Sequence, residues 1–415
     1  MGFITVITKG GYVKNKTIEL LYINLDENTK RFVDASIKAI TSAKLAGRKV
    51  MVATGSGPNI HEGVTTLIAE LVYKGVVDGI TTSSAVVSHE LGGVLDRVKR
   101  IPYEIIKNNI KLAENFLPKG GFFEYTILTE EQINEIRNEM FLDEQLIHLM
   151  TGTDGNIIIK AAGNLAYPIG LRTEMLAKEI LYIAKTLNKS FEEVAGHSAD
   201  SMTMLGACQK MGVPILVSIP QLVGGGAVGI CIAESIPISH RCAEIAKMIE
   251  SSDVIIESAI ALTQEIHDGP FETYTGHGIW AAWQGYDTYS LKEKTIIRID
   301  LDENLYKAWD MERKSKIFQD AIDRSLPKTK VSNIPFRMEM SAFMRHEKSI
   351  PIVNDIGVIW PIIAYYVSNN LNINLNFISY PQQSEQGKEM REYIVKNIKY
   401  ADRAKLKAKN MKFSE

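Results

Sequence analysis

The chain has 415 residues, 45% of them hydrophobic and 23% charged, and a formal net charge of −2. That is apolar material for one large core or two modest ones, and the balanced charge excludes a global field for nucleic acid or an anionic membrane. No run approaches the roughly 18 apolar residues that span a bilayer, the N-terminus lacks a signal peptide's charged and apolar regions, and Cys208, Cys231 and Cys242 form no CxxC pair. A cytoplasmic protein without a disulfide framework or zinc ribbon is expected.

Residues 1–48 read as an N-terminal arm. Ile4–Thr8 and Thr17–Asn24 alternate like the strands of a short hairpin around Gly10-Gly11. Asp26 to Ala46 then has helical apolar spacing, with Asp26 placed to cap it. From Lys49 onward, short β-branched runs alternate with helical patterns. The predicted strands are Val50–Ala53, Gly79–Thr82, Pro214–Ser218, Val254–Ile256, Thr295–Asp300 and Ile350–Val353. This alternation predicts an α/β fold, a mostly parallel Rossmann-like sheet flanked by helices. Glu130–Thr151 and Arg172–Leu187 read as helical, and Lys328–Arg345 as one or two strands. A last helix is expected from near Glu385, running into a tail with Arg403, Lys405, Lys407, Lys409 and Lys412. A solvated helix face is the preferred reading of that tail over a nucleic-acid contact.

The most informative stretch is Val50 to Glu90. An apolar strand runs into the turn Thr54-Gly55-Ser56-Gly57-Pro58-Asn59, a helix follows, and Val77-Asp78-Gly79-Ile80-Thr81-Thr82 leads to a second polar turn. This is a βαβ unit with two ligand-facing loops at strand ends. Unpaired N–H groups at the first helix start are suited to phosphate. A second glycine cluster, Gly224-Gly225-Gly226-Ala227-Val228-Gly229, formally fits GxGxxG. Cofactor contact and a packing turn account for it equally well.

A third cluster runs from Gln264 through Glu265, His267, Asp268 and Gly269 to His277, Trp280 and Trp283. Histidine moves protons near neutral pH, carboxylates hold a cationic amine, and an indole face attracts it. His197, Asp200 and Ser201 are better explained by helix capping from Ser198 or Asp200. Cys208 reads as a small core residue, and no ligand spacing marks a metal site at His197, His240, His267 or His277. Asn354-Asp355 places a carboxylate at a strand-to-helix turn, suited to a ribose or an amine.

In this order, the motifs resemble the deoxyhypusine synthase superfamily from about Lys49 to Tyr366. Glu62-Gly63-Val64 to Leu71, Val77-Asp78 and Thr81-Thr82 are similar to its first nucleotide-binding unit. Asp200-Ser201 to Pro214 and Pro220 to Gly229 resemble its glycine-rich segment. Gln264-Glu265 and Asp268-Gly269 resemble its Gln-Glu-Phe-Asp-Gly-Ser stretch, and Asn354-Asp355 with Trp360-Pro361 its Ala-Asp-Ala turn. The resemblance implies NAD as cofactor, with Ser56, Asn59, Thr82, Ser83, Glu90, Gly225, Gly226, Asp268 and Asp355 at its pocket. It also implies a homo-oligomer, a dimer or tetramer. Residues 49–384 form the expected NAD-binding domain and 385–415 a basic C-terminal helix.

The family's attacking lysine follows a tryptophan by two residues. Here Trp283-Gln284-Gly285 has none, and Lys292 and Lys294 lie later; the acid of the Thr-Asp-Gly turn falls at Gly224. These departures count against aminobutyl transfer from spermidine to a protein lysine. The expected activity is NAD-dependent oxidation of a small amine or amino acid to an imine, followed by deamination, cyclisation or transfer. His277 or His267 is the expected base, Asp268 or Glu265 the amine anchor, and Trp280 or Trp283 the pocket wall. Ornithine cyclodeaminases of the archaeal and cyanobacterial type share the resemblance, loosely through His89-Glu90 after Ser84-Ala85. A true deoxyhypusine synthase and a non-catalytic NAD-binding or assembly protein are the alternatives.

Overall fold

The computed structural model describes residues 6–7, 13–109, 121–161, 163, 166–222, 224–259, 289–291, 293–300, 303–304, 307, 310–311, 316–326, 333 and 348–406. Strands β1 (Val6–Ile7) and β2 (Val13–Lys14) form a small antiparallel pair. Helix α1 (Lys16–Ile23) follows, where the sequence predicted a strand over Thr17–Asn24. The Asn15 side chain accepts the Ile18 N–H and starts the helix, and Ile18 is fully buried in the main core. Helix α2 (Glu27–Leu45) is capped by Asp26, which accepts from Asn28 and Thr29 N–H, as the sequence predicted.

Strand β3 (Val50–Thr54) is buried along its whole length. Helices α3 (Ser56–His61) and α4 (Val64–Tyr73) follow, separated by Glu62 and a left-handed Gly63. Next come β4 (Gly79–Thr82) and α5 (Ser84–Leu91). The stretch that reads as irregular in sequence builds a small three-stranded antiparallel sheet. It comprises β5 (Asp96–Pro102), β6 (Phe122–Thr126) and β7 (Asn156–Lys160), in the order β6-β5-β7. Helices α6 (Tyr103–Asn109), α7 (Glu130–Glu139) and α8 (Glu144–Gly152) accompany it. Ile101, Ile106, Ile136, Leu146 and Met150 give it a core of its own. The helical stretch Glu130–Thr151 is thus two helices, because Asp143 caps a second start at Leu146 N–H.

Helices α9 (Ile169–Leu187), α10 (Phe191–Ala195) and α11 (Met204–Met211) lead to β8 (Ile215–Val217), then α12 (Ala227–Ser235) and α13 (Ile238–Glu250). Strands β9 (Val254–Ser258), β10 (Thr295–Asp300) and β11 (Ser349–Val353) complete the main sheet, with α14 (Ile317–Asp323) between the last two. Helices α15 (Ile356–Asn370) and α16 (Glu385–Asn397) close the described chain. The stretch Lys328–Arg345, predicted as strands, lies outside the described residues apart from Asn333.

All six strands predicted for the main sheet are present, and every pair is parallel, in the order β11-β10-β9-β3-β4-β8. The chain starts in the centre at β3, steps outward to β8, returns to the centre at β9 and steps outward the other way. This is the doubly wound Rossmann order, and its reversal between β3 and β9 opens a crevice at the strands' C-terminal ends. The α/β, Rossmann-like class predicted from sequence is the observed one.

Candidate active site at the strand switch point

Neighbouring β3 and β9 are held at their C-terminal ends by one side-chain network. Asn59 Nδ2 donates to Gly55 O at 2.6 Å and to Ser258 O at 3.0 Å. Ser258 Oγ donates to Asn59 Oδ1 at 2.5 Å and accepts from Trp360 Nε1 at 2.7 Å. Two carbonyls can only accept, so the amide has one orientation. Asn59, Ser258 and Trp360 are all fully buried. Asn59, expected at the NAD pocket, therefore fixes the crevice floor.

Along the same edge, Thr54 ends β3, Thr82 ends β4 and Ser218 follows β8. Ala53 pairs with Thr81, which sets Thr54 beside Thr82. All three are fully buried, and none of their hydroxyls has a hydrogen-bond partner among the described residues. Buried hydroxyls are normally satisfied, although hydroxyls without a partner among the described residues also occur away from this edge, at Thr65, Thr126 and Thr173. Ser83 caps α5 by accepting from Val86 N–H at 3.2 Å. Ser56 opens α3 at the end of β3.

The second glycine cluster is pressed against α5. Gly225 N–H donates to Ser84 Oγ at 3.2 Å, and a Cβ at Gly225 would stand 2.6 Å from Ser84 O. Gly226 has a φ of +61°. Close packing explains the glycines and sets Gly225 against the start of α5, which follows β4.

Glu90 sits elsewhere. It is 1% exposed, and its two oxygens accept from Met204 and Leu205 N–H at 2.9 and 3.0 Å. Burial pushes its carboxyl up to about 7, against the pull of those two bonds. It anchors the start of α11, whose cap is Thr203, accepting from Gly206 N–H at 3.0 Å. The cap expected from Ser198 or Asp200 is thereby replaced: Ser198 donates to Ala195 O, and Asp200 accepts from Met202 and Lys399 N–H.

Glu265, His267, Asp268, His277, Trp280 and Trp283 lie outside the described residues, between Ala259 and Tyr289 in the sequence. Lys292 is also outside the described residues. Lys294 precedes β10 and donates to Glu250 O, at the sheet edge opposite the crevice, so it cannot stand in for the missing lysine there. Cys208 is fully buried on α11, and burial raises its thiol well above the usual range. His197 and His240 line a groove of about 600 Å³ beside β8, away from the crevice. Among the described residues, no group of three His, Cys, Asp or Glu side chains could hold a metal, and no helix is long and apolar enough to cross a membrane.

A second polar cluster lies between the two sheets and takes in Asp355, expected at the NAD pocket, together with His61, Glu62 and Arg391, which the sequence did not single out as site residues. Asp355 caps α15, its Oδ1 accepting from Gly357 N–H at 2.9 Å. Glu62 packs on Gly357, where a Cβ would stand 2.2 Å from Glu62 Oε2, and accepts from Gln382 N–H at 2.7 Å. Burial pushes the Glu62 carboxyl up to about 7; Asp355 adds to the rise, while Arg391 opposes it. His61 Nε2 is 3.5 Å from Ala161 N, and its Nδ1 is 3.5 Å from Arg391 Nη2. Burial, then Arg391 and Lys160, lower the His61 pKa, and burial takes that of His89 down to about 4. Both imidazoles are neutral near pH 7. His61-Glu62 comes one residue after the glycine turn, which is the sequence signal that marks it.

Comparison with protein-family models found no match, and neither did comparison with curated proteins. Solved structures give distant likenesses. A conserved LOR/SDH protein from Methanococcus maripaludis S2 has 10% identity and a TM-score of 0.39, over 89% of this chain and 73% of that one. AgrE, in a ternary complex with ornithine and NAD+, has 12% identity and a TM-score of 0.40, over 83% of this chain and 34% of AgrE. ArgZ, an arginine dihydrolase from the ornithine-ammonia cycle in cyanobacteria, has 11% identity and a TM-score of 0.36, over 81% and 32%. The chain thus spans about a third of the length of AgrE and ArgZ. None of the three is a deoxyhypusine synthase, so that specific identity gains no support. At such identities and scores, the question of function returns to the chain's own residues.

Proposed function

We propose that the chain binds NAD+ at the β3/β9 switch point and acts on the C–N bond of a small amino acid or amine. The strand order carries this reading, because it opens a crevice where doubly wound sheets take dinucleotides. The orphan hydroxyls of Thr54 and Thr82 beside it fit a polar ligand. Those two residues, with Ser83, Gly225, Gly226 and the Gly55-Ser56 backbone, would hold the nucleotide. Bound NAD+ supplies a hydride acceptor. The chain supplies the pocket and a proton acceptor, for which His267 and His277 are the proposed groups. Glu265 or Asp268 would hold the amine, with Trp280 and Trp283 as walls. The reaction class is oxidation to an imine, then deamination, cyclisation or transfer. A homo-oligomer belongs to the same proposal and is tested by light scattering.

Calorimetry with NAD+ and NADH tests the cofactor. NADH absorbance, followed with arginine, ornithine, other amino acids and simple amines, tests turnover. Nucleotide uptake with NADH formed on one substrate class supports the proposal. No uptake of either nucleotide refutes it.

A further inference from the structure

The cluster between the two sheets has a surplus of donors on one side and of acceptors on the other. A neutral imidazole offers one lone pair, yet His61 faces two donors, Ala161 N–H and Arg391 Nη2, each at 3.5 Å. His61 can accept from only one of them, and Arg391 Nη2 has Ile159 O besides; Arg391 Nε is buried without a partner among the described residues. His89 is 8% exposed, lies within electrostatic range of His61, and its Nδ1 has no partner among the described residues. These groups ask for an anionic oxygen.

The acceptors lie alongside. Asp355 Oδ2 makes no hydrogen bond among the described residues, and Glu62, which accepts from the backbone and the side chain of Gln382, is close enough to Asp355 and Arg391 for their charges to act on it. A phosphate would meet repulsion from these two carboxyl groups, whereas a zwitterion satisfies both halves. His61, Arg391 and Asp355 each keep part of their surface open to solvent, while Glu62 and His89 are buried.

We propose that this cluster binds the head group of a free α-amino acid, with Arg391 and His61 on its carboxylate and Glu62 and Asp355 on its ammonium. The inference rests on the proposed amino-acid or amine chemistry, puts Glu62 and Asp355 in place of Glu265 or Asp268 as the amine anchor, and narrows the substrate to molecules carrying both charges.

The test is calorimetry on the full chain with free L-amino acids, each paired with its decarboxylated amine and its deaminated acid. The wild type should bind an amino acid more tightly than either truncated partner. Arg391→Gln should weaken the amino acid about tenfold or more and leave the amine unchanged. Glu62→Gln should weaken the amino acid and the amine and leave the acid unchanged. A variant that fails to fold would lose all three ligands alike, so Asp355→Asn is a second arm, expected to follow the Glu62→Gln pattern. Uniform loss in all variants overturns the proposal. So does binding of inorganic phosphate in place of every amino acid, or no amino-acid binding at all. NAD+ uptake is read on the same samples. If it persists while amino acids fail to bind, this inference falls and the nucleotide reading stands. Amino-acid binding without nucleotide uptake leaves the head-group site standing and removes the nucleotide reading.

Discussion

Asn59→Ala removes the donor pair that joins the two central strands. It leaves Gly55 O and Ser258 O without the Asn59 donor and the Ser258 O–H without its acceptor. Buried groups left unmade cost about 1–3 kcal/mol each, and water entering the vacated space recovers part. The expected loss is about 3–5 kcal/mol. Asn59→Asp is the sharper probe. It keeps the size and the acceptor but turns an oxygen toward two carbonyl oxygens. Near neutral pH the aspartate should therefore cost more than the alanine, the reverse of what size alone suggests. Acidification restores one donor, and the aspartate variant should recover toward the alanine. Urea unfolding at neutral and mildly acidic pH measures both, read as midpoints at unchanged m. NAD+ affinity should fall in both variants, because Gly55 and Ser258 border the crevice. A loss below about 1 kcal/mol for alanine, or an aspartate at least as stable as alanine at neutral pH, refutes the reasoning.

Glu192 and Arg241 form a fully buried ion pair that also covers the outer edge of β8, accepting from Val217 N–H at 2.7 Å and donating to Val217 O at 3.3 Å. Arg241→Ala should cost about 3–5 kcal/mol, since it strands a buried carboxylate; denaturant midpoints check this. Glu90→Ala leaves the Met204 and Leu205 N–H groups without acceptors and should cost about 2–4 kcal/mol, with NAD+ affinity unchanged by calorimetry. The Glu62 carboxyl, raised from an ordinary 4.5 to about 7, binds a proton when folded that the unfolded chain has released. Its stabilising contribution is complete below about pH 4.5 and is lost as pH rises through about 7. Glu62→Gln should therefore lose less stability than the wild type between those values, measured by thermal melts across pH.

The main sheet is legible in the sequence because parallel strands buried on both faces read as continuous β-branched runs. Val50–Thr54 and Thr295–Asp300 are such runs, and all six strands lie within two residues of their expected ends. Thr17–Asn24 reads as a strand because its alternation over eight residues fits a strand as well as one buried helix face. The decisive signal is local: Asn15 as a cap three residues ahead of Ile18. Asp355 is marked in the sequence by its strand-to-helix turn, but its meeting with the rest of the charge cluster is illegible for another reason. The cluster's parts come from α3, α5, the end of β7, the start of α15 and α16, and Arg391 meets His61 across 330 residues. No window along the chain contains that meeting, and the basic C-terminal stretch reads as solvated. Arg403 in that stretch in fact pairs with Glu179 and donates to Glu139 O at 2.9 Å.

Helix α15 gives the two polar regions a common frame. Its cap, Asp355, faces Glu62, and Trp360, just over one turn further on, donates to Ser258 at the end of β9. Glu62 in turn lies one helical turn after Asn59, on the far side of the same network. A shift of β3 against β9 must therefore move Asn59, Ser258 and Trp360 together, and with them the carboxyl pair at Glu62 and Asp355. In the proposed function this geometry has a chemical use. Hydride transfer requires the carbon bearing the nitrogen to stand against the nicotinamide within about 3–3.5 Å. A rigid helix that shares its first two turns between the nucleotide crevice and the carboxyl pair fixes that separation without a loop in between.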